Sequence, residues 1–139
     1  MKKSVENIVR HSEVSEKAIE AYLSKRVKEA NLLCLKYSNA NTTGYPDRMI
    51  CLPYGLIIWV ELKSKGRKPT KLQMIRHDEL RRLGHRVFVI DSKEQVDRLM
   101  DFIEKRQKLS DLVRNYELDT LNLREYLNTQ EIKIERQAL

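Results

Sequence analysis

Asp47, Glu61 and Lys63 stand among apolar residues, and their types and spacing suit metal-assisted chemistry on a phosphoester. Glu61 and Lys63 sit two residues apart in Ile57-Ile58-Trp59-Val60-Glu61-Leu62-Lys63. On a strand they share a face, and Leu62 points the other way. Asp47 follows Pro46 and precedes a second apolar run, Met49 to Leu52, and Pro53-Tyr54-Gly55 between the two runs supplies turn chemistry. An antiparallel hairpin returns its second strand past the start of the first, which brings Asp47 close to Glu61. Two carboxylates and a lysine then converge. Mg²⁺ takes one or two carboxylates and leaves its other positions to water and phosphate, so the arrangement describes a phosphodiesterase site.

The flanking segments must position these residues. The run from Leu56 to Leu62 is apolar on both faces, which predicts a central strand. Met1 to Glu13 is polar and basic, a short helix or a loose arm. Ser12 or Ser15 caps a helix to about Ala30, with Ile19, Leu23, Val27 and Ala30 as its apolar stripe. Glu16 and Glu20 both border that stripe, and an acidic residue in a first turn also complements the helix dipole. Leu32 to Tyr37 reads as a strand with Lys36 facing a groove, and the Asn- and Thr-rich loop to Tyr45 follows.

After Lys63, Ser64 to Pro69 reads as a mobile basic loop. Thr70-x-x-Gln73 is a capping box for a helix from Lys71 to about Leu83, stopped by Gly84. Leu80, Leu83 and Ile75 or Met74 are its expected packing face, whereas His77 and His85, near basic residues, are expected at the surface or on phosphate. Arg86 to Ile90 predicts a strand parallel to the Glu61 strand through a right-handed crossover. Ser92-x-x-Gln95 opens a further helix with Val96, Leu99, Met100 and Ile103 on one face. From Gln107 onward, Leu109 to Leu127 suggests one or two amphipathic helices with a break near Leu118 to Thr120, either a docking or dimerisation appendage or a cover for the core. The expected organisation is a domain over 1–106 and a helical extension over 107–139.

Composition agrees with a folded, basic protein. The 139 residues are 41% hydrophobic with a formal net charge of +7. Met1 to Arg106 holds 22 Lys plus Arg against 14 Asp plus Glu, and the remainder 5 against 6, so the positive charge belongs to the first part. A basic cluster is ordinarily a solvated surface; beside Asp47 and Glu61 it suits a polyanion held through counterion release. Cys34 and Cys51 lack metal-ligand spacing and read as buried thiols. No stretch has transmembrane length and no signal-peptide pattern opens the chain, so a soluble intracellular protein is expected.

Pro46-Asp47 followed by Glu61-Leu62-Lys63 across a hairpin resembles the PD-(D/E)xK nuclease motif. With Glu16 on a preceding helix, Gly44-x-Pro46-Asp47-Arg48, and Gln73 on a following helix, the stretch from roughly Ser15 to Ser92 resembles the VRR-NUC domain, which is related to archaeal Holliday-junction resolvases. Two other acid-x-Lys triplets fall short of the pattern. Asp91-Ser92-Lys93 has no upstream Pro-Asp, and Glu131-Ile132-Lys133 lies in a polar tail without a strand.

The resemblance implies an α/β, restriction-endonuclease-like core: a mixed central sheet with an antiparallel hairpin, flanked by helices. It implies Mg²⁺ or Mn²⁺ on Asp47, Glu61, the Leu62 carbonyl and Glu16, the last directly or through water. Glu20 fits the helical pattern as well, and Glu16 is preferred because Ser15-Glu16-x-x-Ile19 matches the family's opening. Lys63 would position or deprotonate water or neutralise charge on the phosphorane, and Gln73 would reach phosphate or the attacking water. Lys36, Arg48, Lys65, Arg67, Lys68 and Lys71 would hold the nucleic acid. The implied function is a structure-selective DNA endonuclease for junctions, flaps or ends in replication and repair, a homodimer in the cytoplasm of a phage-infected or bacterial cell. The competing reading is a non-catalytic nucleic-acid-binding module on the same fold. No Gly-rich phosphate loop marks a small-molecule cofactor.

Overall fold

In this computed structural model, residues 14–115, 127–131 and 133 are described. The expected N-terminal arm and the break near Leu118 to Thr120 lie outside them. The chain divides into two compact units, Met1–Val96 and Asp97–Leu139.

The first unit is built on a four-stranded sheet of β1 (Leu33–Lys36), β2 (Arg48–Leu52), β3 (Leu56–Leu62) and β4 (Arg86–Ile90), in the spatial order of the chain. β1, β2 and β3 are antiparallel neighbours, and β4 lies parallel to β3. The expected mixed sheet with a central Glu61 strand is what forms. At the hairpin, Leu52 pairs with Leu56, and Pro53 to Gly55 turn the chain with φ of 69° at Tyr54 and 74° at Gly55. That left-handed pair matches the twist of the flanking strands.

α1 (Glu16–Glu29) begins where the Ser15 side chain accepts from the Ala18 amide at 3.2 Å. Its Ile19, Leu23 and Val27 are fully buried at helical spacing, packed on the sheet face of Ile50, Ile58 and Val60. Each such apolar side chain contributes about 1.5–3 kcal/mol. α2 (Lys71–Arg82) crosses between β3 and β4 and covers the opposite face, where Leu80 packs with Trp59 and Val87. The expected packing residues Met74, Ile75 and Leu83 are instead exposed. The inward stripe of α2 is Gln73, His77 and Leu80, and apolar periodicity cannot reveal a stripe that is two-thirds polar.

α3 (Lys93–Asn115) starts where the Ser92 hydroxyl accepts from the Gln95 amide at 3.2 Å. The helix runs through position 106 without a break and enters the second unit at Asp97. In that unit Leu99, Met100, Phe102 and Ile103 are buried, and Arg106 pairs with Glu131 at 3.6 Å.

Candidate active site

The loop from Ser38 to Asp47 delivers the first carboxylate. Asn39 Oδ1 accepts from the amides of Asn41 and Thr42, and Arg76 Nε on α2 donates to the Thr43 carbonyl at 3.3 Å. Gly44 has φ of 93°, and a Cβ there would stand 2.9 Å from Leu72 Cγ and 3.1 Å from Arg76 Cγ. Only glycine lets the loop lie this close to α2. Asp47 follows, its carbonyl accepting from the Tyr37 amide at 2.8 Å.

Asp47 Oδ2 accepts from the Leu62 amide at 2.9 Å, which ties this carboxylate to the backbone between Glu61 and Lys63. The hairpin therefore brings Asp47 to the end of the strand carrying the Glu-x-Lys triplet. Burial holds the Asp47 carboxyl above its usual value, and the charges of Glu61 and Glu16 push the same way, against the Leu62 amide and the Lys63 ammonium.

Glu61 has no exposed surface. Its Oε1 receives Lys63 Nζ at 2.7 Å and Gln73 Nε2 at 2.6 Å. Gln73 performs two tasks at once: its Oε1 accepts from the Thr70 amide at 2.9 Å to complete the capping box, and its amide nitrogen holds Glu61. Both contacts are open to one side chain because an amide offers an acceptor and donors on opposite sides. A buried carboxylate left without partners would cost several kcal/mol, and these two donors offset much of that.

The two helix-borne glutamates separate. Glu20 meets Arg48, with Oε1 at 2.8 Å from Nη2 and 2.9 Å from Nε, whereas Glu16 is exposed at the start of α1 and contributes to the field at Asp47. Arg48, expected on nucleic acid, thus faces α1 and is taken by an ion pair. Strand alternation explains it: Arg48 pairs with Val60 and Lys36 with Arg48, all on the face opposite Glu61. Lys36 is exposed on that face. Among the described residues, no three His, Cys, Asp or Glu side chains are gathered closely enough to hold a metal by themselves.

Lys65, Arg67, Lys68 and Lys71 are exposed beside Lys63. The loop that carries them is fastened rather than loose: Lys63 N donates to Ile90 O, Lys65 N to Val14 O, Gly66 N to Asp91 Oδ2 and Arg67 N to Ser64 O, all at 2.9–3.2 Å. The triplet Asp91-Ser92-Lys93 accordingly serves as a loop anchor and a helix cap.

His77 also lies against Glu61. Expected at the surface, it is 1% exposed, with Nε2 3.7 Å from Glu61 Oε2. Its spacing of one helical turn from Gln73 was the available signal. Cys34 and Cys51 are half-buried on opposite sheet faces, and burial pushes the Cys34 thiol up.

No family model matches the sequence. The candidate nuclease p44 of Acyrthosiphon pisum secondary endosymbiont phage 1 is 40% identical over 81 residues, which span 58% of this chain and 87% of that protein. A solved structure described as a VRR_NUC domain is 34% identical, with a TM-score of 0.59, over 62% of this chain and 94% of that one. The chain belongs to the VRR-NUC nucleases. The restriction-endonuclease-like fold expected for a VRR-NUC protein is the fold observed, with the Pro46-Asp47 and Glu61-Leu62-Lys63 segments meeting across its hairpin. No helix among the described residues of this VRR-NUC chain is long and apolar enough to cross a membrane.

Proposed function

We propose that this nuclease is a Mg²⁺- or Mn²⁺-dependent DNA endonuclease. One observation carries the reading: a fully buried Glu61 bonded to Lys63, with Asp47 tied to the amide between them. Hard oxygen donors are what these cations take, and two carboxylates with the Leu62 carbonyl suffice when water and substrate phosphate complete the shell. The raised Asp47 carboxyl supports the fit, since two carboxylates crowded into a partly buried site favour a divalent cation between them. Asp47, Glu61 and the Leu62 carbonyl would hold the metal, with Glu16 acting through water.

Bound metal would polarise the phosphoryl oxygen and acidify its water. Lys63 holds a positive charge at the same place, where it orients water and neutralises charge growing on the phosphorane. Gln73 keeps Glu61 turned toward the site. Lys65, Arg67, Lys68 and Lys71 hold the phosphate backbone without reading bases, which favours branched or otherwise structured DNA over a defined sequence. Cutting two strands symmetrically asks for two sites and hence a homodimer. We assign this activity to residues 1–106, with 107–139 as an extension, acting in a phage-infected or bacterial cytoplasm.

Cleavage of a labelled panel (single strand, duplex, flap, four-way junction, supercoiled circle) with Mg²⁺, Mn²⁺ or EDTA tests the reading. Metal-dependent cutting of branched DNA is expected, reduced roughly 10²- to 10⁴-fold by Lys63→Ala and lost in Asp47→Asn. Binding without cutting, equal in all three proteins, would leave a non-catalytic binding module.

A further inference from the structure

α2 directs a second side chain at Glu61, one turn beyond Gln73. Gln73 and Lys63 both bond Oε1, and the other oxygen, Oε2, faces His77 Nε2 at 3.7 Å. Neither Oε2 nor Nε2 has a hydrogen-bond partner, and both are closed to solvent. Buried polar atoms pair, and here each atom faces the other. A carboxylate oxygen only accepts, and a neutral imidazole donates from whichever nitrogen carries its proton.

We propose that His77 is a positioning residue that donates Nε2–H to Glu61 Oε2, so that α2 grips both oxygens of this carboxylate. Small side-chain rotations close 3.7 Å to the roughly 3 Å of an N–H···O bond. The inference rests on reading Glu61 as a metal ligand. A carboxylate offers about four lone-pair sites. Lys63, Gln73 and His77 would take three, which leaves one, on Oε2, for the cation. Hydrogen bonds of this kind set the orientation of a ligating carboxylate and hence its affinity for metal. If His77 only fills space, an apolar side chain of similar size would serve equally well.

The test uses the full chain, with Mn²⁺ affinity measured by calorimetry, folding by thermal unfolding, and the Mn²⁺ dependence of cleavage alongside. His77→Leu is expected to weaken Mn²⁺ binding roughly 10- to 100-fold and to raise the Mn²⁺ needed for half-maximal cleavage by the same factor. His77→Gln, which puts an amide N–H near the position of Nε2, is expected to restore most of that loss. Wild-type affinity in His77→Leu, or equal weakening in both variants, overturns the proposal. Should His77→Leu fail to fold, ¹⁵N NMR of the wild-type imidazole decides: a proton on Nε2 supports the role and a bare Nε2 overturns it. Mn²⁺ binding by wild type but not by Asp47→Asn, with His77→Leu unchanged, rejects His77 alone. Absence of Mn²⁺ binding in the wild type rejects the metal reading and this inference with it.

Discussion

The two faces of the sheet do opposite work, although the same strand, β3, supplies both. Toward α1 it sends Ile58, Val60 and Leu62, which are buried among Ile19, Leu23, Val27 and Ile50. Toward α2 it sends Trp59 and Glu61, where α2 answers with Leu80, Gln73 and His77. The charged pair on the α1 side, Arg48 with Glu20, keeps 18% and 25% of its side-chain surface exposed; on the α2 side, Glu61 is fully buried. Burying a carboxylate is unfavourable, and a strand that packs an apolar row on its other face offsets that cost. One face stabilises, and the other carries the residues to which the proposal assigns the chemistry.

If that division is right, Ile58→Ala should lower stability by about 2–5 kcal/mol, measured as a fall in the urea midpoint, and leave cleavage per folded molecule unchanged. Loss of cleavage in the folded variant would break the comparison. Gly44→Ala belongs to the other face. With φ of 93° and Leu72 Cγ in the way, it should cost about 1–3 kcal/mol and also depress cleavage, because the loop that ends at Asp47 must move.

Glu20→Gln sharpens the contrast between the helix-borne acids. Removing one charge from a mostly buried pair should cost roughly 1–3 kcal/mol, read from the same urea titration, and should leave the metal dependence of cleavage unchanged. Glu16→Gln, by contrast, should alter that dependence.

The smallest effect concerns pH. The Asp47 carboxyl is raised from 3.8, so the folded state binds this proton more tightly than the unfolded chain. Its stabilising contribution is complete below 3.8 and is lost as pH rises through the folded value. Metal-free Asp47→Asn should therefore melt slightly above wild type at neutral pH, and the difference should vanish below that window. Metal affinity should rise with pH through the same window, since the ligand is the ionised form.

Much of this is legible in the sequence because caps, turns and strand alternation are set by residues near one another in the chain. Thr70 and Ser92 cap the helices expected of them, Ser15 is the one of the two candidates that caps α1, and the hairpin from Met49 to Leu62 turns at Pro53-Tyr54-Gly55. Period-two alternation brought Glu61 and Lys63 together, and the antiparallel return brought Asp47 to them. His77 escaped because a histidine among basic neighbours looks solvated; what buries it is α2 lying on β3, a contact across the fold. Arg48 escaped for the converse reason, since being adjacent to Asp47 in sequence says nothing of which face a strand residue takes until register is known.

The sequence by itself determined which residues could do chemistry, the order of the elements and the family pattern, because caps, turns and periodicity act over a few residues. Only the tertiary structure decided that Glu20 is held by Arg48 and Glu16 left exposed, that Gln73 turns its amide onto Glu61, and that His77 faces the carboxylate's other oxygen. Those choices depend on how α1 and α2 lie across the sheet. That is set by the packing of apolar side chains distant in sequence, a sum over many contacts that no single motif encodes.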